Sequence, residues 1–352
     1  MKQLILIHLT RDEQYMSRCL QLAKLGAGNV APNPMVGAVL VHEDKIIGEG
    51  FHQKYGEAHA EVHCINSVAD ENKSLIEKST MYVSLEPCSH FGKTPPCSDL
   101  IIQQKIKKVV IGCGDIYEEV SGKGIERLRN AGVEVIVRVL EKESKDLNKR
   151  FFTFHLQKRP YIILKWAQSA NGKIGLESER VLISNQYSSR LVHKWRSEEA
   201  AILVGKNTAQ KDNPALTTRL WKGKNPARIV IDPKLELPSS LKVFNGEAKT
   251  FIFNLSENDL EGNIEYIQLQ EEDFLQKILS SVYEKGIQSV LVEGGTKTLQ
   301  SFIDGNLWDE ARVITNQEMI IEEGINGPEM KNFNLVQQEK YFTDTISYFN
   351  RK

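Results

Sequence analysis

The sequence predicts two α/β domains in succession. Three observations carry that prediction. Strand-like apolar runs alternate with helix-like segments twice along the chain, which is the pattern of layered α/β folds. The two alternations are separated by a charged stretch, Leu140–Lys158, ending in Lys158-Arg159-Pro160, where proline stops a helix. The 352 residues suffice for two cores of ordinary size. The boundary is placed at 150, giving residues 1–150 and 151–352.

In the first half, Thr10-x-x-Glu13 is a capping box. The helix it opens has Met16, Leu20 and Ala23 on one face and runs toward Gly26. Pro32-Asn33-Pro34 interrupts the chain. Val36–Val41 and Ile46–Phe51, joined by the exposed pair Glu43-Asp44, read as a hairpin. A helix over about His59–Val68, a strand at Thr80–Leu85, a helix near Cys97–Gln104 and a strand at Lys108–Gly112 follow. A helix near Gly124–Asn130 ends at Gly132, and Val133–Val137 is a further strand. The charged stretch begins as a helix.

In the second half, strands are expected at Tyr161–Ala167, Ala201–Val204, Arg228–Ile231, Thr250–Phe253, Ser289–Val292 and Ala311–Thr315. Helices are expected at Asn185–Arg196, Glu272–Lys285 and Lys297–Gly305. After Gly327 the sequence carries no clear pattern, and nowhere is there an internal repeat.

Composition excludes several classes of function. Hydrophobic residues make up 41% and charged residues 26%, as in ordinary globular chains, and the net charge of −1 comes without long basic blocks. This argues against a general nucleic-acid binder. The apolar run within Met1–Thr10 is too short to span a bilayer and lacks a cleavage site. A soluble cytoplasmic protein without membrane or nucleic-acid partners is expected, and the sequence admits a homo-oligomer. The five cysteines form no disulfide framework. Cys19, Cys64 and Cys113 sit in apolar settings and read as buried thiols.

The other two cysteines belong to a chemical constellation. His59-Ala60-Glu61 is followed by Pro87-Cys88 and by Pro95-Pro96-Cys97. Either part alone is weak; together they meet the needs of a catalytic zinc. Such a site takes three nitrogen and sulfur ligands, here His59, Cys88 and Cys97, and keeps one position open. Glu61 lies two residues after His59, within reach of the reaction without being a ligand, as a proton carrier must. His59 and His63 are four apart, but a metalloprotease needs the glutamate directly after the first histidine. A structural zinc lacks its fourth ligand. The loop between the cysteines carries His90, Lys93 and Thr94, which suit a phosphorylated substrate.

Pro32-Asn33-Pro34-Met35-Val36-Gly37, His59-Ala60-Glu61 and Pro87–Cys97 resemble the bifunctional riboflavin-biosynthesis deaminase–reductases. The resemblance continues into the second half. It implies a cytidine-deaminase-like three-layer domain over 1–150 and a dihydrofolate-reductase-like α/β domain over 151–352. It implies zinc-dependent hydrolysis of the 2-amino group of 2,5-diamino-6-(5-phosphoribosylamino)pyrimidin-4(3H)-one, with Asn33 binding the pyrimidine. It further implies NADPH-dependent reduction of 5-amino-6-(5-phosphoribosylamino)uracil to the ribitylamino phosphate. One zinc per chain and NADPH are the cofactors, and phosphorylated pyrimidines the small-molecule partners.

Four segments of the second half carry the reductase resemblance. Lys165–Ile174 is similar to the opening motif of that domain, with Asn171 where aspartate is usual. It places Ala167 at the cofactor. Val204–Thr208 and Asp212–Arg219 imply that Thr208 and Asp212 contact the cofactor. There Leu216 and Arg219, with Arg196 from the preceding helix, contact the substrate. Guanidinium groups suit a phosphate. Val292-Glu293-Gly294-Gly295-Thr296-Lys297-Thr298 leaves a strand for a helix. Its glycines permit close backbone approach. The resemblance assigns Gly295, Thr296, Lys297 and Thr298 to the cofactor and Glu293 to the substrate. There is no Gly-x-Gly-x-x-Gly and no P-loop. Arg180-Val181-Leu182-Ile183-Ser184 and Gly114-Asp115-Ile116-Tyr117 depart from the family pattern. A second reading makes the C-terminal half a degenerate binding or oligomerisation module beside an active deaminase. A third makes the chain a structural zinc module for nucleic acid, which the neutral charge opposes.

Overall fold

The computed structural model describes residues 9–91, 95–116 and 122–352. Most of the N-terminal apolar run, Lys93 and Thr94 of the cysteine loop, and Tyr117 lie outside them. The chain divides into two compact units, Met1–Gln157 and Lys158–Lys352.

The first unit runs α1 (Arg11–Ala23), β1 (Gly37–His42), β2 (Lys45–Phe51), α2 (Ala60–Asn66), β3 (Thr80–Leu85), α3 (Cys97–Gln103), β4 (Lys108–Cys113), α4 (Lys123–Asn130), β5 (Glu134–Val137), α5 (Glu141–Leu147) and α6 (Lys149–Gln157). The capping box of α1 forms as expected: the Thr10 side chain accepts from the Glu13 amide, and the Glu13 side chain accepts from the Thr10 amide. The strands make one five-stranded sheet in the order β2-β1-β3-β4-β5. β1 is antiparallel to both neighbours, whereas β3, β4 and β5 are parallel. Successive residues of a strand face opposite sides, so β1 feeds two cores. Ala38 and Leu40 pack with Cys64 and Ile65 of α2 and Ile101 of α3. Val39 and Val41 pack with Met16, Cys19 and Leu22 of α1. Helices therefore cover both faces, in three layers.

This unit ends after Gln157 rather than after 150. Phe151 and Phe152 of α6 bury themselves against Leu85 and Cys113, at the ends of β3 and β4. Charge at the start of the connecting stretch marks it as exposed, but the apolar Phe151-Phe152 pair turns its second helix inward.

The second unit runs β6 (Tyr161–Ser169), β7 (Lys173–Gly175), α7 (Gln186–Glu198), β8 (Ala201–Gly205), α8 (Lys206–Asp212), β9 (Ala227–Ile231), β10 (Thr250–Asn254), β11 (Asp259–Glu261), β12 (Ile264–Gln268), α9 (Phe274–Glu284), β13 (Ser289–Val292), α10 (Thr296–Asp304), β14 (Glu310–Asn316), β15 (Ile325–Asn326), β16 (Phe333–Tyr341) and β17 (Asp344–Arg351). Its main sheet has ten strands in the order β11-β12-β10-β9-β8-β13-β6-β14-β17-β16. The strands from β12 to β14 are parallel. On one face Ile162, Leu164 and Trp166 of β6 meet Ile278 of α9 and Phe302 of α10. On the other, Tyr161 and Ile163 meet Val192 and Trp195 of α7.

The hairpin β16–β17 is the largest departure from the sequence reading. β16 is an edge strand of mostly exposed residues, so it lacks an apolar alternation. Its place is set by β17, which pairs antiparallel with β14 over Asp344–Asn350. No helix among the described residues is long and apolar enough to cross a membrane.

Candidate active sites

In the first unit, His59 is the N-cap of α2, with extended backbone and no cap bond from its side chain. The imidazole is thus left free to face the cysteines. Cys97 is the first residue of α3, set by the extended Pro96 before it. Cys88 lies in the loop leaving β3. His59 Nδ1 is 3.6 Å from Cys88 Sγ and 3.4 Å from Cys97 Sγ, and the Cys97 amide donates to Cys88 Sγ at 3.3 Å. The three ligand atoms all lie within 4.8 Å of one another. A hydrogen bond from the Cys97 thiol, with His59 adjacent, pulls the Cys88 thiol down to about 4 against the cost of burial. One imidazole and two sulfurs, one already favouring thiolate, make a soft donor set that fits zinc with a position left open.

His59 and Cys88 open onto a cavity of about 380 Å³, which Asn33 and Glu61 also line. Glu61 is 3% exposed, and burial raises its carboxyl above the ordinary value. Cys64 is on α2 but packs into the core, away from the metal cluster, as do Cys19 and Cys113. His52 has no counterpart among the sequence assignments. Its Nδ1 lies 3.0 Å from the Ala58 carbonyl, which only accepts, so Nδ1 carries the hydrogen. Nε2 then accepts from Asn33 Nδ2 at 3.2 Å, which fixes the Asn33 amide beside the cavity. Glu86, also unassigned by sequence, is buried and accepts from the amides of Asp115, Gly122, Gly124 and Ile125. It ties the chain around α4 to the cysteine loop.

In the second unit a cavity of about 880 Å³ lies at the carboxyl ends of the parallel strands β6, β8, β9 and β13, the usual ligand crevice of such sheets. Every second-half residue assigned by resemblance lines it: Ala167, Thr208, Asp212, Gly295, Thr296, Lys297 and Thr298 for the cofactor, and Arg196, Leu216, Arg219 and Glu293 for the substrate. The strand order brings together segments more than a hundred residues apart. Gly294 has φ +145°, a conformation that favours glycine. Thr208 Oγ1 accepts the Gly295 amide at 2.8 Å, so Thr208 holds the Gly294-Gly295 turn in place.

Arg196, assigned to the substrate by resemblance, lines the cavity. Its guanidinium also pairs with Glu293, with Nε–Oε1 and Nη2–Oε2 both at 2.7 Å, and donates to the Thr217 carbonyl at 3.2 Å. Lys165 Nζ is 3.7 Å from the same carboxylate. Burial would raise the Glu293 carboxyl, but Arg196 and Lys165 outweigh it and hold it at about 2. Among the described residues that line this cavity, Arg180 and Arg219 are guanidiniums that form no ion pair. The sequence reading assigned no role to Lys165 or His193. A lysine within the apolar run of β6 was the legible signal for the first. His193 is drawn down to about 4 by burial and by Arg196 and Arg219, and is neutral near pH 7.

The departures have local explanations. The Asn171 amide donates to the Ile321 carbonyl at 2.8 Å and accepts its amide at 3.2 Å, a pairing that needs both ends of an amide. Leu182 and Arg180 line the rim of the cavity, where Leu182 is 73% exposed.

Comparison with known proteins matches each half of the chain to a known family. Residues 9–113 match the cytidine and deoxycytidylate deaminase zinc-binding region, and residues 160–317 match the RibD C-terminal domain. The chain is 43% identical to riboflavin biosynthesis protein RibD of Aquifex aeolicus, over 90% of this chain and 89% of that one. It is 40% identical to the Bacillus amyloliquefaciens protein of the same name, over 85% and 82%. A crystal structure of a diaminohydroxyphosphoribosylaminopyrimidine deaminase/5-amino-6-(5-phosphoribosylamino)uracil reductase from Thermotoga maritima superposes with a TM-score of 0.89 at 38% identity, covering 97% of this chain and 99% of that one. With a zinc-type donor set, both family models matched and this similarity along nearly its whole length, the chain belongs to the bifunctional riboflavin-biosynthesis deaminase–reductase family.

Proposed function

We propose that the chain deaminates 2,5-diamino-6-(5-phosphoribosylamino)pyrimidin-4(3H)-one in its first unit, residues 1–157. Its second unit, residues 158–352, then reduces 5-amino-6-(5-phosphoribosylamino)uracil to the ribitylamino phosphate. The observation that carries the reading is the cluster of His59, Cys88 and Cys97 ligand atoms at the edge of a cavity that His59, Cys88 and Glu61 line. The cofactors are zinc and NADPH: zinc supplies a Lewis acid that makes water nucleophilic near neutral pH, and NADPH supplies hydride. His59, Cys88 and Cys97 hold the metal. Glu61 takes a proton from the attacking water and returns one to the departing amine. Asn33, its amide oriented by His52, matches the pyrimidine edge. In the second unit the Gly294-Gly295 turn lets the cofactor approach the backbone, with Ala167, Asp212 and Thr296–Thr298 around it. Arg219 binds the substrate phosphate. Lys165 and Arg196 keep the Glu293 carboxylate charged and fixed beside Leu216. We place the protein in the cytoplasm, acting on small phosphorylated pyrimidines.

The direct test is an assay of the purified chain with the diaminopyrimidine phosphate, with and without NADPH. Deamination without NADPH oxidation in the full reaction would instead favour a reductase half that only binds or assembles. Two substitutions test the site assignments. Cys88→Ser is expected to lose zinc, because a hydroxyl replaces thiolate poorly on this metal; full zinc retention by metal analysis would reject Cys88 as a ligand. Arg219→Ala is expected to raise the reductase KM by ~10–100-fold, the weight of a charge-assisted contact, and to leave deamination unchanged. Unaltered reductase kinetics would place the phosphate elsewhere.

A further inference from the structure

We infer that Asn148–His155, in the stretch connecting the two units, completes the pyrimidine site. Asn148 is a positioning residue for the loop that carries Asn33, and His155, backed by Phe151, is a wall against which the substrate packs. The inference rests on the deaminase reading above.

Asn148 is buried at the junction of α5 and α6. Its Oδ1 accepts the Met35 amide at 2.8 Å and its Nδ2 donates to the Met35 carbonyl at 2.9 Å. Both polar groups of one backbone residue are thus taken by one side chain, 113 positions away in sequence. Met35 is two residues from Asn33, and the proline between them has no amide hydrogen to donate. The clamp on Met35 therefore fixes the loop on one side of Asn33, as the His52 bond fixes its side chain on the other. Asn148 is itself tied to α6, whose Phe152 amide donates to the Asn148 carbonyl at 2.9 Å.

The same helix reaches the cavity. Phe151 and His155 both line it together with Asn33, His59 and Glu61. Their ring centroids are 4.5 Å apart, at 58°. Phe151 is anchored with Phe152 against Leu85 and Cys113, and Val36 packs on the same cluster. Thus His155 is presented by a helix whose inner face cannot shift without disturbing the strand ends beneath the site. An apolar and aromatic wall with a few fixed polar groups suits a small ligand. A planar aminopyrimidine presents a π-face that packs on an aromatic or imidazole ring whatever its edge substituents.

The test uses the full-length, zinc-loaded chain. His155→Ala, His155→Phe and Asn148→Ala are compared for deamination kinetics, zinc content and, in the same preparations, reductase kinetics. His155→Ala is expected to raise the deaminase KM about 10-fold, as loss of a stacking platform does. Its kcat should move by less than about two-fold, since such contacts bind substrate and transition state alike. His155→Phe should restore KM, because the ring and not the imidazole chemistry is what packs. Asn148→Ala should raise KM by about 10-fold and lower kcat as well, since a misplaced Asn33 misaligns the ring. Zinc content and reductase kinetics should not change in any variant. An unchanged KM in His155→Ala, or a change that comes with zinc loss and is not rescued by phenylalanine, overturns the wall. An unchanged KM in a folded Asn148→Ala overturns the clamp. If Asn148→Ala fails to fold, the two His155 variants decide. Absence of deamination in the unsubstituted chain would reject the deaminase reading itself, whereas deamination that none of the three variants alters would reject only this inference.

Discussion

Glu61→Gln is expected to keep its zinc and to lose at least ~100-fold in deamination, the lower range for removal of a general acid–base group. Glutamine preserves size and polarity but cannot carry a proton between water and amine. Position makes the effect specific. Glu61 is the second residue of α2, two after His59, and lines the cavity beside it. It is not among the three residues whose ligand atoms cluster. Nearly complete burial means that bulk water does not substitute readily for the lost carboxylate. Metal analysis and reductase activity of the same preparation separate the outcomes. Retained zinc, intact reduction and lost deamination support proton transfer. Loss of zinc would make Glu61 a ligand and remove it from the proton path.

Glu293→Gln is expected to disable reduction and to destabilise the second unit, while zinc binding and deamination persist. The carboxylate lies between Arg196 and Lys165, and all three side chains are at most 12% exposed. Removing the anion leaves two buried cations without their counter-charge. Breaking a buried pair from one side costs about 3–5 kcal/mol. Denaturant unfolding followed by a probe in the second unit reads that loss directly; an unchanged midpoint would show that the pair is solvated and carries little energy. The acid dependence gives a second readout. Glu293 is held at about 2, below the ordinary 4.5, so its folded-state pKa is depressed. The unfolded chain therefore takes up the proton first. The stability Glu293 contributes is complete above pH ~4.5 and is lost as pH falls toward about 2. Glu293→Gln should flatten the stability profile in that window. His193 acts at higher pH. Burial, then Arg196 and Arg219, lower it from 6.5 to about 4, so stability also falls as pH drops between those values. That slope should remain in the Glu293 variant.

What the sequence determined by itself is mostly local. Most strand and helix positions of the first unit, and the main parallel strands β6, β8, β9, β10, β13 and β14 of the second, follow from apolar periodicity and breakers, whereas α8, β12 and the short strands do not. The hairpin of β1 and β2, the strand at Thr80–Leu85 and the capping box at Thr10 needed no tertiary information. The metal donors were legible because zinc demands particular residue types, and His59, Cys88 and Cys97 are separated by recognisable prolines and an intervening glutamate. The second cavity was legible only through resemblance, since its lining comes from four parallel strands whose adjacency no local pattern encodes. Tertiary structure alone decided four matters. It paired Arg196 with Glu293, because a buried carboxylate beside β6 requires a counter-charge. It set His52 against Asn33 and Asn148 against Met35, pairings of ordinary polar residues that carry no sequence signal. It placed β16 at a sheet edge with residues of both its faces mostly exposed, which erases the alternation that marks a strand. Finally, it carried the first unit through α6 to Gln157, because the apolar side chains of a charged connecting segment fold back wherever there is apolar surface to cover, and here that surface is the floor of the deaminase cavity.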